Sequence, residues 1–242
     1  MSGFQYVGSE LELFASATVW KEYLRRQIVP YLGEEVLEVG AGLGGTTRFL
    51  CSSGDPKRRW VCLEPDLGML HTLSGKVENG ELPGYCEASP GTLDDLPETE
   101  RFSSILYIDV LEHIFDDREE VRKAAGHLRP GGRLIVLAPA HPWLFSPFDR
   151  AIGHHRRYTR KTLRALKAEG LVEERSRYLD SVGMLASAAN RLLLGQSMPD
   201  PRQITFWDKV LVRASRLFDG ATGYSLGKSI LIIWSRTADA AA

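Results

Sequence analysis

The sequence predicts an α/β protein built on a doubly wound, mostly parallel sheet of seven strands with helices on both faces. Three observations predict it. Val36-Leu37-Glu38-Val39 is a short β-prone run that enters the glycine-rich turn Gly40-Ala41-Gly42-Leu43-Gly44-Gly45. A helix then opens at about Gly44, the pattern of a buried parallel strand feeding a turn and a helix. Further short apolar runs at 60–64, 102–110 and 134–139 alternate with helical patterns, which is how parallel sheets are wound. Acids end or nearly end three of these runs, Glu38, Glu64 and Asp109, and so share the carboxyl edge where open α/β sheets bind ligands.

Taken in order, residues 10–31 carry Leu13, Phe14, Ala17, Trp20, Tyr23, Leu24 and Ile28 at helical spacing, and Pro30 and Gly33 end that helix. We read it as a helix packed on the sheet, with a cover over the ligand site as the alternative. The second strand, 60–64, ends in Glu64, and Pro65-Asp66 opens a helix to about Val77. A short third strand spans 83–88, with Gly91-Thr92-Leu93 in the loop beyond it. The fourth strand delivers Asp109 and Val110, and Asp116 or Asp117 caps a helix through Leu128. Pro130-Gly131-Gly132 turns the chain into an apolar fifth strand ending at Pro139. Residues 171–179 read as a sixth strand, and 181–194 and 205–218 as amphipathic helices separated by Pro199 and Pro201. A terminal strand covers 227–234. The organisation is one domain overall: an N-terminal helical cover (1–33), a ligand-binding α/β core (34–180), a helical insertion or lid (181–226), and a terminal strand and tail (227–242).

Composition narrows the function classes. A chain of 242 residues with 43% hydrophobic content can bury a full core. Its net charge of −1 supplies no drive toward nucleic acid or anionic membrane, and no basic stripe is present. Cys51, Cys62 and Cys86 are odd in number and lack C-x-x-C spacing, so we expect free buried thiols in a reducing compartment. With no charged-then-apolar leader and no long apolar run, a cytoplasmic protein is the expectation.

Two ligand classes fit the glycine turn. Gly40-x-Gly42-x-x-Gly45 is formally a dinucleotide fingerprint. Glu38, two residues before the first glycine, disfavours a pyrophosphate and suits a ligand carrying an ammonium and a sulfonium. Val36-Leu37-Glu38-Val39-Gly40-Ala41-Gly42-Leu43-Gly44 resembles motif I of the class I S-adenosylmethionine-dependent methyltransferases. Asp109-Val110-Leu111-Glu112-His113 resembles motif IV of their small-molecule branch, and the Pro-Gly-Gly turn resembles theirs too. The resemblance implies a Rossmann-like sheet whose last strand inserts antiparallel beside the sixth, with S-adenosyl-L-methionine as cofactor. It implies that Glu38, Gly40, Ala41, Gly42 and Gly44 line the cofactor, that Glu64, followed by Pro65, meets the ribose hydroxyls, and that Asp109 and Val110 complete the edge. Glu64 also lies 24 residues after Gly40, near the offset at which an acid reaches a ribose. Thr92 and Leu93 stand at the adenine loop, where the family often has an Asp; Thr92 is a departure.

The segment after the fifth strand holds His141, Pro142 and Trp143, then Asp149, then Gly153-His154-His155-Arg156-Arg157-Tyr158. A loop at this edge is where an α/β enzyme places substrate groups. It also resembles the loop of a bacterial methyltransferase subgroup. His154, His141 and His113 are the candidate bases for a hydroxyl acceptor; for a carboxylate or thiolate the arginines would position it. A satisfied histidine is an equal reading of His113, and a solvated face is the alternative for the arginines. No nearby carboxylate or cysteine gives the histidines convincing ligand spacing, so no metal is expected. The resulting expectation is methyl transfer to a small molecule, O-methylation favoured, with a lipid-linked or sugar-like acceptor left open. Alternatives are a nicotinamide-dependent oxidoreductase and a non-catalytic S-adenosylmethionine-binding protein. The protein is expected as monomer or homodimer, with no nucleic-acid partner and no transmembrane segment.

Overall fold

The computed structural model describes residues 6–8, 10–51, 59–191 and 198–237. Seven strands form one sheet: β1 (Glu35–Val39), β2 (Arg59–Glu64), β3 (Cys86–Pro90), β4 (Phe102–Ile108), β5 (Leu128–Pro139), β6 (Leu171–Leu179) and β7 (Ser229–Arg236). Their spatial order is β3-β2-β1-β4-β5-β7-β6. β1 to β5 pair in parallel, while β7 lies antiparallel between β5 and β6. The order reverses between β1 and β4, so their carboxyl ends define the crevice at which such sheets take ligands.

Side chains alternate between the two faces, as a strand's period of two requires. On one face Leu37, Ile105, Tyr107, Val136 and Ile232 pack against α5 (Asp117–Gly126) and α7 (Arg160–Arg164). On the other, Val36, Leu106, Ile135, Leu231 and Ile233 meet Trp20, Leu24 and Ile28 of α2 (Thr18–Ile28) and Leu73 of α4 (Leu67–Glu78). All three cysteines are free and buried, and Cys51 Sγ lies 3.5 Å from Cys86 Sγ.

Several element bounds depart from the sequence reading, each for a local reason. Residues 10–31 are not one helix. α1 (Glu10–Leu13) and a 3-10 turn (Phe14–Ser16) precede α2, because Ala17 leaves helical geometry with ψ 67°. The freed N–H groups of Val19 and Trp20 donate to the Asp208 carboxylate, a cap supplied by the far end of the chain. In the glycine turn, the regular helix α3 is only Thr47–Leu50, although its first helical bond, Arg48 N to Gly44 O, starts where the sequence placed it. β3 runs Cys86–Pro90 rather than 83–88, and β4 stops at Ile108 because Asp109 takes φ +55°. β5 begins at Leu128, its Pro-Gly-Gly accommodated by a register shift opposite Phe102 and Ser104.

The insertion is anchored. It holds α8 (Ser181–Ala189), α9 (Pro201–Phe206), a π-turn (Trp207–Leu211) and α10 (Val212–Ala221), with α6 (Pro147–Ala151) earlier in the chain. The helix read as 205–218 starts at Pro201 because Asp200 caps it. Ile204, Trp207 and Val212 join the core face with Trp20. Leu192, Leu193 and Leu194, at the end of the helix read as 181–194, lie outside the described residues. Among the described residues no helix is long and apolar enough to cross a membrane.

Candidate functional site

The glycine turn wraps the carboxyl end of β1. Gly40, Gly42 and Gly44 have φ of +67°, +56° and +70°, the left-handed region that glycine enters without a Cβ penalty. At Gly40 a Cβ would also stand 2.8 Å from Val110 Cγ2, so Val110 seats this turn directly. Glu64 closes the loop from β2: one carboxylate oxygen accepts from Gly42 N at 2.8 Å and the other from Asp66 N at 2.9 Å. Burial raises its pKa, and these two backbone donors pull it back. Pro65 links it to Asp66, which caps α4 through Gly68 N and Met69 N.

Glu38 lies beneath the turn, 3% exposed, accepting from Trp60 Nε1 at 2.9 Å. Burial pushes it up to about 7, partly offset by the Thr47 and Trp60 side chains. Its charge is therefore conditional near neutral pH. Ala41 is buried, while Asp109 is exposed at the end of β4. Thr92 is exposed and its hydroxyl is engaged with Asp95 in a capping box, with Leu93 buried in the core behind it. The residues present fit S-adenosylmethionine: bare glycine backbone lies beside Glu64, whose oxygens each keep a lone pair for one hydroxyl of a ribose diol.

α2 packs on the sheet, as read from the sequence. Tyr6, Glu10 and Leu11 lie beside the glycine turn and the loop after β2. Tyr6 N donates to Asp66 Oδ2 at 2.8 Å, the Tyr6 hydroxyl donates to Glu10 Oε1 at 2.6 Å, and Leu11 reaches the backbone of Gly42. The Tyr6 ring meets His113 edge-on at 5.5 Å.

On the acceptor side the fold gathers residues from two loops around Asp149 of α6. Asp149 is fully buried and accepts from Ser146, from Arg157 Nε at 2.7 Å and, in its pairing at 2.9 Å, from His154 Nδ1. The Arg157 and His154 contacts hold its carboxyl well below the usual range despite burial. The other ring edge of His154 faces Glu112, Nε2 to Oε1 3.6 Å, and stands against His113 with ring centroids 4.6 Å apart. Burial lowers His113 to about 4, so its imidazole is neutral at physiological pH. His141 is elsewhere, stacked on Tyr178 with ring centroids 4.8 Å apart. Two of the arginines are already paired with acids, Arg156 with Asp117 and Arg157 with Asp149, whereas Arg160 donates to Tyr224 O and keeps its Nε without a partner.

Of the three candidate histidines, two are thus brought together and one is apart. Sequence reasoning missed the parts played by Glu112 and Asp149. Asp149 carried one signal, the Ser146-x-x-Asp149 capping box that opens α6; its pairing with His154 left none.

Comparison with known proteins agrees with this geometry. Residues 37–134 match the family model described as Methyltransferase domain. A demethylmenaquinone methyltransferase of Tropheryma whipplei is 29% identical over 139 residues, 54% of this chain and 53% of that protein. A ubiquinone biosynthesis O-methyltransferase of Xylella fastidiosa is 30% identical over 129 residues, 53% of this chain and 51% of that protein. The chain thus spans about half the length of these curated relatives. Among solved structures, geranyl diphosphate C-methyltransferase from Streptomyces coelicolor A3(2), crystallised with S-adenosyl-L-homocysteine, superposes with TM-score 0.64 at 14% identity, covering 97% of this chain and 92% of that one. The [4+2]-cyclase SpnF superposes with TM-score 0.63 at 14% identity, covering 89% and 80%, so the fold by itself does not fix the chemistry. Motif, sheet order and family match agree: residues 37–134 belong to a methyltransferase domain of the class I S-adenosylmethionine-dependent family.

Proposed function

We propose that the protein transfers a methyl group from S-adenosylmethionine to a hydroxyl of a small molecule, with a lipid-linked or sugar-like acceptor within its range. The observation that carries this reading is the His154 edge. Asp149 holds Nδ1, which leaves Nε2 facing Glu112 beside the segment that seats the glycine turn. When bound, the cofactor supplies a methyl on a sulfonium whose charge disappears on transfer. The chain's task is to hold the acceptor at near-attack distance and to take its proton. Glu64 and the glycine turn fix the cofactor side; the His154–Glu112 pair receives the hydroxyl proton, with Asp149 steadying the imidazole. A carboxylate acceptor fits less well, because Arg156 and Arg157 are already paired. The relatives named for quinone pathways support a small-molecule acceptor.

The test is a screen of metabolite extracts for label from isotopically methyl-labelled S-adenosylmethionine, run with wild type and His154→Ala. Wild type should form S-adenosylhomocysteine together with a labelled methyl ether. His154→Ala should bind cofactor near-normally and lose about 10²-fold or more in turnover. Full activity in the variant would remove His154 from the acceptor side. Label on carbon or nitrogen would overturn the hydroxyl assignment.

A further inference from the structure

We propose that Glu112, His113 and His154 form a binding site for a divalent transition-metal ion of the zinc type. Each offers one ligand atom, and the three atoms lie within 4.8 Å of one another. The residues come from two segments, the loop after β4 and the loop after α6, so no sequence spacing announces them.

Two independent observations point to a ligand. The first is the Glu112 carboxylate, fully buried with neither oxygen in a hydrogen bond. At 3.6 Å from His154 Nε2 it is beyond hydrogen-bonding distance, and the neighbouring guanidinium of Arg157 is engaged by Asp149. A carboxylate buried so costs several kcal/mol unless it takes up a proton or a cation meets it. The second is the orientation of His154. Its Nδ1 is fixed on the Asp149 carboxylate, which turns Nε2 toward Glu112 and His113. A carboxylate behind one ring nitrogen, with the other presented inward, is the way proteins orient metal-ligating histidines.

The donor chemistry selects the ion. Two imidazoles and one carboxylate suit zinc and its first-row neighbours better than magnesium or calcium. Ligand distances of about 2.0–2.2 Å place tetrahedral ligand atoms about 3.4 Å apart. Glu112 and His154 already stand close to that spacing, and a small shift of the His113 ring completes it. Three protein ligands leave a fourth position, as in catalytic rather than structural zinc sites.

The ion's part in catalysis rests on the hydroxyl-transfer reading; its binding does not. With the ion in place His154 and Glu112 serve as its ligands, and the proton-accepting part that the pair has in the ion-free chain passes to solvent. The acceptor O–H is acidified by the ion and loses its proton to solvent, and the oxygen forms the new O–CH3 bond as the S–CH3 bond breaks and the sulfonium becomes a neutral thioether.

The experiment uses the full chain, stripped with chelator and titrated with Zn2+, then with Co2+ as a spectroscopic probe. One equivalent of Zn2+ should bind and raise the melting temperature. Glu112→Gln and His154→Gln, each shown folded by circular dichroism, should weaken binding by about 10-fold or more. Bound Co2+ should give visible d–d bands without a thiolate charge-transfer band, which separates this site from Cys51, Cys62 and Cys86. Absence of stoichiometric binding, binding unchanged in both variants, or a thiolate band would overturn the site. Zn2+ bound at the triad in a protein that methylates nothing would uphold the site and reject the methyl-transfer reading. Full turnover in the stripped enzyme would overturn the ion's catalytic part.

Discussion

At the residue scale, Glu38 and Glu64 share one edge and differ in what surrounds them. Glu64 accepts from Gly42 N and Asp66 N and so shapes the loop; we propose that it also meets the ribose hydroxyls of the cofactor. Glu64→Ala should weaken S-adenosylmethionine binding by about 1–3 kcal/mol by calorimetry; unchanged affinity would place it outside the site. Glu38, accepting from Trp60 Nε1, is pushed up to about 7 by burial. A carboxyl whose folded pKa exceeds its unfolded value lets the native state bind the extra proton, so its contribution to stability is complete below about 4.5 and is lost as pH rises through about 7. Glu38→Gln keeps the acceptor for Trp60 and removes the titration. The variant should therefore gain about 3 kcal/mol over wild type at pH 8, with little difference at pH 4, in denaturant unfolding. Wild-type stability that does not fall between these pH values would contradict the assignment. The glycines and Glu64 were legible because motif and strand ends fix them. That Glu38 is tucked under the turn was not, since only the register Glu38↔Cys62, with Trp60 on the same face of β2, brings the indole over it.

At the element scale, three buried aspartates tie residues 181–226 to α2 and to the turn that follows β6. Asp219 accepts from the Tyr23 hydroxyl and from the N–H groups of Asp180 and Ser181. Asp180, itself at φ +64°, accepts from Trp207 Nε1, Ser215 and Gly183 N. Asp208 caps α2. Asp208→Ala should cost about 1–2 kcal/mol, the value of a helix cap, and Asp219→Ala about 3 kcal/mol or more, because three buried donors lose their acceptor. Equal, near-zero losses in urea unfolding would show the insertion to be loosely attached. Sequence periodicity found β6 to the residue and α4 to within two residues, where apolar spacing and the Asp66 cap agree. It fused α1, the 3-10 turn and α2 into one helix because the break at Ala17 is secured by Asp208, 189 positions from Val19, and long-range caps leave no local signal.

At the scale of the whole molecule, the choice between S-adenosylmethionine and a dinucleotide no longer rests on Glu38 alone. Dinucleotide-binding sheets are typically parallel in the order 3-2-1-4-5-6. Here an antiparallel β7 stands between β5 and β6, the strand insertion that the methyltransferase resemblance implied. The crevice at the switch point carries Glu64 against the glycine backbone and Asp109 at the end of β4; we propose that these carboxyl groups meet hydroxyls and an ammonium, company that does not suit a diphosphate. A ligand that binds only the folded chain stabilises it by mass action, by about 2.7 kcal/mol at a hundred times its Kd. For a chain of 242 residues this corresponds to a rise of about 5–10 °C in melting temperature. S-adenosylmethionine should therefore raise the melting temperature by that amount once its concentration is far above Kd. NADH at the same concentration should leave it unchanged, and Glu64→Ala should need about 5- to 150-fold more S-adenosylmethionine for an equal shift. A larger shift with NADH than with S-adenosylmethionine would reverse the cofactor assignment, and with it the assignment of Glu64 to a ribose beside a sulfonium.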